Sequence, residues 1–327
     1  MKKSIFSSAK ISLGCVTAIV ISTLLNLKYG LTAGLLTVLS IQDTKRETLK
    51  TALKRLYAFF FAFAISVICF KLMGYNALSF GIYLFIFVNI CFIMDWKIAI
   101  VPVSVLVTHL ISEKSTDIML IINEFLLFAV GAGTGMLVNI HLHNDNEKMS
   151  VCRENLDSEI KAVLERMSVR ILSADKSDYS GDCFKKLDSL MFDAQKTARE
   201  NYDNSLKNPQ TYDIEYLEMR KKQCSILYEM YKSIIRMNTP PEQALIISDF
   251  LKKTAVEYHE KNDVRNLIEK LEKIFAEMQY QPMPAERPEF ENRAVLYSFM
   301  LLLKEFLCLK YEFVCKISTD FVEKEKK

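Results

Sequence analysis

The chain has 327 residues, 42 Lys/Arg against 39 Asp/Glu, and a net charge of +3. That near balance, with no basic stripe of interleaved aromatics, excludes a nucleic-acid surface. The charge is unevenly placed. Residues 1–143 hold twelve Lys/Arg and six Asp/Glu, and the other 184 residues hold 30 and 33. Charge is costly in hydrocarbon, so a half-chain stripped of it points to a membrane domain, 1–143, followed by a water-exposed domain, 144–327. The eight cysteines are scattered, with no CxxC pair and no neighbouring histidine, so neither a disulfide framework nor a zinc site is expected.

Lys2, Lys3 and Lys10 precede an apolar run, Ile11–Leu27. The run is longer than a signal-peptide core and further runs follow at once, so it reads as a retained first span. Five more candidates follow: Leu31–Ile41, Leu56–Met73, Leu78–Met94, Ile98–Ile111 and Ile118–Ile140. A span needs ~20 apolar residues, and the second candidate, at ~17 Å as a helix, is short. Short spans border substrate sites in some transporters, and a tilted, thinly flanked helix explains this one equally. With six crossings, nine Lys/Arg (Lys2 to Lys97) fall on one side and Lys28, Lys71 and Lys114 on the other. The positive-inside rule then puts both termini in the cytoplasm.

Polar residues inside spans are the candidate functional groups. Glu124 lies in the sixth span, and an intramembrane carboxylate can carry a coupling proton. The alternative is that it sits near the outer interface, snorkelling or pairing with Lys114. Asn89, Thr108 and His109 read as interhelical hydrogen bonds. Gly131 and Gly135 form a GxxxG pair, a helix-packing face and a reason to expect a homodimer or higher assembly. After the second span, Gln42, Lys45, Arg46 and Arg55 belong to a cationic loop that could gather anions at the cytoplasmic mouth as well as fix topology.

From about His143 the pattern turns to amphipathic helix. Val151, Leu156, Ile160, Val163, Met167 and Ile171 read as a continuation of the sixth span. Tyr216 to Ile234 and Val264 to Met278 mark further helices. Breaks fall at Asn208-Pro209, Thr239-Pro240-Pro241 and Gln281-Pro282-Met283-Pro284, and a final helix runs from about Arg287 to Phe321. The expected class is all-α: a polytopic membrane bundle of about six spans, then a cytoplasmic bundle of five or six helices. His141 and His143 are expected at the headgroup level. No phosphate loop, GxSxG or HExxH occurs, so no enzyme, cofactor or metal centre is read.

Two segments carry a resemblance. Ser40-Ile41-Gln42-Asp43-Thr44-Lys45 with Lys54-Arg55-Leu56 is similar to the aromatic acid exporter family, related to fusaric-acid-resistance transporters. Pro282-Met283-Pro284-Ala285-Glu286-Arg287-Pro288-Glu289-Phe290-Glu291-Asn292-Arg293-Ala294 resembles the signature of that family's C-terminal domain. Asp43 stands where a proline is expected, and Pro288 where a glutamate is more usual. The resemblance implies efflux of small aromatic carboxylate anions across a bacterial cell membrane by alternating access. It supplies no substrate residues; Arg287, Glu289, Phe290, Glu291 and Arg293 are motif positions that could equally build a salt-bridged helix start. An anion channel and a membrane-anchored regulatory module are the alternatives. The partners expected are the lipid bilayer, a small organic anion and further copies of the chain.

Overall fold

Helix-favouring apolar runs and proline breaks give, in a computed structural model, twelve α-helices and no strand among the described residues. Described are residues 2–140, 145–177, 179–206, 211–259 and 262–325, with backbone only for 2–7, 140 and 318–325. His141, His143 and the Asn208-Pro209 break lie outside them. The chain divides into two compact units, Met1–Asn144 with Glu200–Pro209, and Asp145–Arg199 with Gln210–Lys327.

The first unit holds α1 (Lys2–Leu24), α2 (Leu31–Ser40), α3 (Lys45–Met73), α4 (Ala77–Ile93), α5 (Ile100–Ser112) and α6 (Ile118–Ile140). Among the described residues, α3 and α6 are long and apolar enough to cross a membrane, and the other four are shorter apolar helices. Helix α2 packs against α1 and α6, while α3 packs against α4, α5 and α6. The outer faces are apolar too: Leu13, Val16, Val20 and Leu24 recur along α1 at helical spacing, each at least half exposed, and Phe85, Phe92 and Ile93 do the same on α4. Exposed apolar faces on this scale need an apolar surrounding.

The α2–α6 seam depends on absent side chains. A Cβ on Gly131 would lie 2.5 Å from the Cβ of Leu36 and 2.8 Å from the Ala33 carbonyl oxygen, and one on Gly135 would lie 2.7 Å from the Cβ of Ser40. The GxxxG pair is therefore filled within the chain. It packs helices, as expected, but against α2, so it gives no argument for self-association.

Two boundaries differ from the sequence reading. Lys45 to Arg55 do not form a loop; they are the first three turns of α3. Thr44 caps that helix, its hydroxyl accepting the Glu47 N–H at 3.2 Å, and the connecting turn is only Ile41–Thr44. Nor does α6 run on into the next helix, because α7 (Asn146–Arg170) opens under its own cap, Asp145, which accepts the Lys148 N–H. Side-chain caps at both points supply acceptors for helix-start N–H groups.

The second unit is built from α7, α8 (Asp182–Asn204, whose last turn belongs to the first unit), α9 (Tyr212–Arg236), α10 (Ala244–Glu257), α11 (Arg265–Gln279) and α12 (Arg287–Glu325). Helix α9 packs along α12, and α10 along α7. Inside the core, the fully buried Arg220 guanidinium sits between the Tyr216 and Tyr258 rings, 4.8 Å from each centroid. It pairs with Asp157 at 2.8 Å and donates to Gln223 at 2.8 Å. Gln223 in turn donates to the Phe306 carbonyl of α12. The ion pair thereby ties α7 to α9, and Gln223 ties α9 to α12.

Candidate functional site

Helix α6 turns Leu120, Glu124, Leu127, Phe128, Gly131 and Gly135 inward on one face, which carries Glu124 into the core along with its apolar neighbours. Helix α5 does the same with Val103, Leu106, Val107, His109 and Leu110. Where the two faces meet, His109 Nδ1 lies 2.7 Å from Glu124 Oε2. The Glu124 side chain is fully buried and that of His109 one-tenth exposed. An ionised carboxylate alone in such surroundings is strongly disfavoured. His109 gives the buried carboxyl a hydrogen-bonding partner. Glu124 therefore neither snorkels nor pairs with Lys114, because the inward face of α6 gives it His109 instead.

The pair is held on all sides. Asn123 Nδ2 donates to Glu124 Oε1 at 3.0 Å, and Thr32 Oγ1 of α2 lies 3.4 Å from His109 Nε2. Asn123 also grips the α1–α2 turn through its backbone, accepting the Lys28 N–H at 2.8 Å and donating to the Lys28 carbonyl at 3.2 Å. The Tyr29 ring stacks on His109 at 4.0 Å with 7° between planes. Its hydroxyl donates to Glu113 Oε1, and Lys28 Nζ bonds Glu113 Oε2 at 2.8 Å. The Lys28 hydrogen bond holds the Glu113 carboxyl below its ordinary value and raises the Lys28 ammonium.

From this cluster a line of polar contacts follows α2. Thr37 Oγ1 meets Thr134 Oγ1 of α6 at 2.7 Å. At the helix end Arg55, buried, donates to Ser40 Oγ (3.1 Å), the Leu39 carbonyl (2.9 Å) and the Ile98 carbonyl (3.3 Å). A cation there also complements the negative end of the α2 dipole. Asn139 donates to the Gln42 carbonyl at 2.8 Å and to Thr48, and the Gln42 side chain donates to the Leu39 and Ile41 carbonyls.

Of the residues expected to matter, Arg55 and Gln42 thus meet at one end of α2, and Glu124 stands at the other, roughly 12 Å away at a helical rise of ~1.5 Å. Lys45 and Arg46 open α3. The Lys45 N–H donates to Asn204 and Arg46 reaches Asp203 at 3.5 Å; Lys54 is paired with Asp95 at 2.7 Å. Several members of the expected anion-gathering loop are therefore engaged with neighbours. The C-terminal motif forms a helix start. Arg287 pairs with Glu291 and Arg293 with Glu289, each one turn apart. Glu289 also accepts the Ala285 N–H and Arg293 donates to the Pro282 carbonyl, folding the proline loop onto α12; Phe290 is exposed.

The α2 hydroxyls were not singled out in the sequence; His109, read there as an interhelical hydrogen bond, makes one, to Glu124 of α6. Among the described residues no three His, Cys, Asp or Glu side chains converge as a metal would require. In the second unit a cleft of about 870 Å³ opens between α8 and α9, lined in part by Phe184, Met191, Tyr228, Tyr231 and Lys221. It gathers none of the residues expected from sequence.

Two family models match the chain. The family described as "Aromatic acid exporter family member 1" matches residues 5–142, and "Putative aromatic acid exporter C-terminal domain" matches residues 146–311. The chain belongs to the aromatic acid exporter family. This family member is also 28% identical over 308 residues to "Uncharacterized protein YqjA" of Bacillus subtilis (strain 168), covering 94% of this chain and 95% of that one. The "Crystal structure of putative membrane protein from Clostridium difficile 630" is 28% identical, with a TM-score of 0.46, over 51% of this chain and 99% of that chain. Membership in this family makes the chain a membrane protein of an exporter family.

Proposed function

We propose that this family member exports small aromatic carboxylate anions across a bacterial cell membrane as a secondary carrier working by alternating access. Its first unit crosses six times, the shorter helices completing their crossings with their flanking turns. Both termini and the second unit then lie in the cytoplasm, as the nine-to-three division of Lys/Arg argues. The Lys28–Glu113 end of the first unit faces outward.

The observation that carries this reading is the Glu124–His109 pair. A buried carboxylate–histidine pair inside a largely apolar helical unit is costly unless function keeps it, and the hydroxyl line along α2 extends from it towards Arg55. The inside-negative potential alone favours anion exit by ~2.3 kcal/mol per charge per 100 mV. Proton coupling through Glu124 is then possible but not required.

The test is efflux of a labelled hydroxybenzoate panel from proteoliposomes, with pH and potential gradients set independently. Saturable, gradient-driven movement that falls at least tenfold in Glu124→Gln supports a carrier with the pair at its centre. Unitary currents in a planar bilayer would replace it with a channel. Absence of movement for every anion, in protein shown to be folded, would overturn the exporter reading.

A further inference from the structure

Glu124 and Thr32 take the two ring nitrogens of His109, and Tyr29 covers one of its ring faces. Tyr29 is a surface residue, 38% exposed. Its backbone is left-handed, φ +61°, as is that of Asn26 in the same turn. A bulky aromatic rarely adopts this conformation, and it persists only where surrounding contacts hold it. The holding contacts are the stack on His109 and the hydroxyl bond to Glu113. Beside the ring lies the Glu113 carboxylate, bound to the Lys28 ammonium, and both side chains are partly open to solvent. The backbone of Lys28 is fixed separately by the two Asn123 bonds, so Lys28 stays in place whichever way the Tyr29 side chain swings.

The arrangement is therefore an aromatic ring lying on an imidazole with a carboxylate next to it on an ammonium, and each group comes from the chain itself. We propose that Tyr29 and Glu113 are internal occupants of a binding site for a small aromatic carboxylate, which displaces them. The ligand's ring lies on His109 and its carboxylate pairs with Lys28. The ligand class rests on the exporter reading; the site rests on the geometry. Stacking between rings adds to the area an aromatic ligand buries, and an ammonium–carboxylate hydrogen bond is among the stronger ones. In the proposed orientation the site is the outer exit, where a ligand must be held weakly enough to leave. Competition from Tyr29 and Glu113 keeps it weak.

An internal competitor makes a prediction that ordinary packing does not: deleting it tightens binding. Calorimetric titration of the purified full chain in nanodiscs with 4-hydroxybenzoate reads this directly. Tyr29→Ala is expected to tighten binding by about two- to tenfold, the worth of one aromatic contact, and Glu113→Gln to tighten it by freeing Lys28. Lys28→Gln is expected to weaken it by about tenfold or more, and cyclohexanecarboxylate to bind more weakly than the aromatic probe. Binding that is unchanged or weaker in both Tyr29→Ala and Glu113→Gln, or no binding in any of these proteins, overturns the site. Tighter binding in those two variants without efflux from proteoliposomes sustains the site and removes the exporter reading.

Discussion

Adding one methyl group at Gly131 should unseat α2. The new Cβ would lie 2.5 Å from the Cβ of Leu36 and 2.8 Å from the Ala33 carbonyl oxygen. Ordinary contact begins near 3.4 Å, so α2 would have to retreat by close to an ångström. The obstruction on the α2 side is backbone and a Cβ, neither of which can rotate away. Overpacking of this kind costs about 1–3 kcal/mol. Gly133, two residues on, has nothing within 4 Å of its would-be Cβ. Alanine there should instead gain up to ~1 kcal/mol from helix propensity. The two substitutions are chemically identical and two residues apart, so their difference, on the order of 2–4 kcal/mol, isolates the seam. At about 2–4 °C per kcal/mol for a domain of this size, Gly131→Ala and Gly133→Ala should melt at least ~4 °C apart. Thermal unfolding in detergent followed by a thiol-reactive dye would read it, since Cys15 packs at the neighbouring α1–α2 contact beside Gly34. Equal melting temperatures, or the reverse order, would refute the argument that the GxxxG pair is used within the chain.

Arg55→Ala removes the donor to three acceptors around the end of α2 and is expected to cost at least ~2 kcal/mol, read in the same melt; wild-type stability would contradict the capping role. Arg220→Met strands Asp157 in the core of the second unit and should cost about 3–5 kcal/mol, most of it recovered when Asp157→Leu is added. Urea unfolding of the full chain followed by near-ultraviolet circular dichroism tests this, and an additive double variant would contradict it. The Glu113 carboxyl is held below its ordinary value by the Lys28 hydrogen bond. A depressed carboxyl stabilises above its unfolded value and loses that contribution as pH falls through the folded one. Hydrogen exchange in the turn at residues 25–30 should therefore be flat across neutral pH, apart from the intrinsic rate, and rise relative to it only in acid; loosening on mild alkalinisation would show that another group latches the turn.

Apolar run length and helical periodicity located most of the helices, α2 to within a residue of its end, because each helix shows its own buried face in its own spacing. The failures were of another kind. The start of α3 was mistaken for a loop because charge was read as a sign of irregularity. Thr44 with Glu47 three residues on is a capping pattern and was the available signal. The partner of Glu124 was missed because it depends on the register between two helices. His109 precedes the end of α5 by three residues, and Glu124 follows the start of α6 by six. The two helices are consecutive in the chain, so two titratable groups in successive apolar runs were a legible hint. Tyr29 could not be found this way. Its role comes from a left-handed backbone and a stacked ring, neither of which has a period.

The short α2 is best understood through its polar face. Thr32, Thr37 and Ser40, with Ala33 and Leu36, fall within an arc of about 140° at ~100° per residue, and all five are buried. Buried hydroxyls are tolerated only when bonded, and these are. Thr37 Oγ1 donates to the Ala33 carbonyl at 2.9 Å and Ser40 Oγ to that of Leu36 at 2.6 Å. A hydroxyl satisfied by its own helix can turn to a passing anion and back without moving backbone, which an aliphatic face cannot do. Thr37→Val separates transit from packing. Thr134 keeps its bonds to the Val130 and Gly131 carbonyls, so the stability loss should be about 1 kcal/mol. If anions pass along α2, efflux in proteoliposomes should fall several-fold while the melting temperature shifts by only a few degrees. A variant that transports at the wild-type rate would reduce this face to a helix-packing device and leave the Glu124–His109 pair without a path to Arg55.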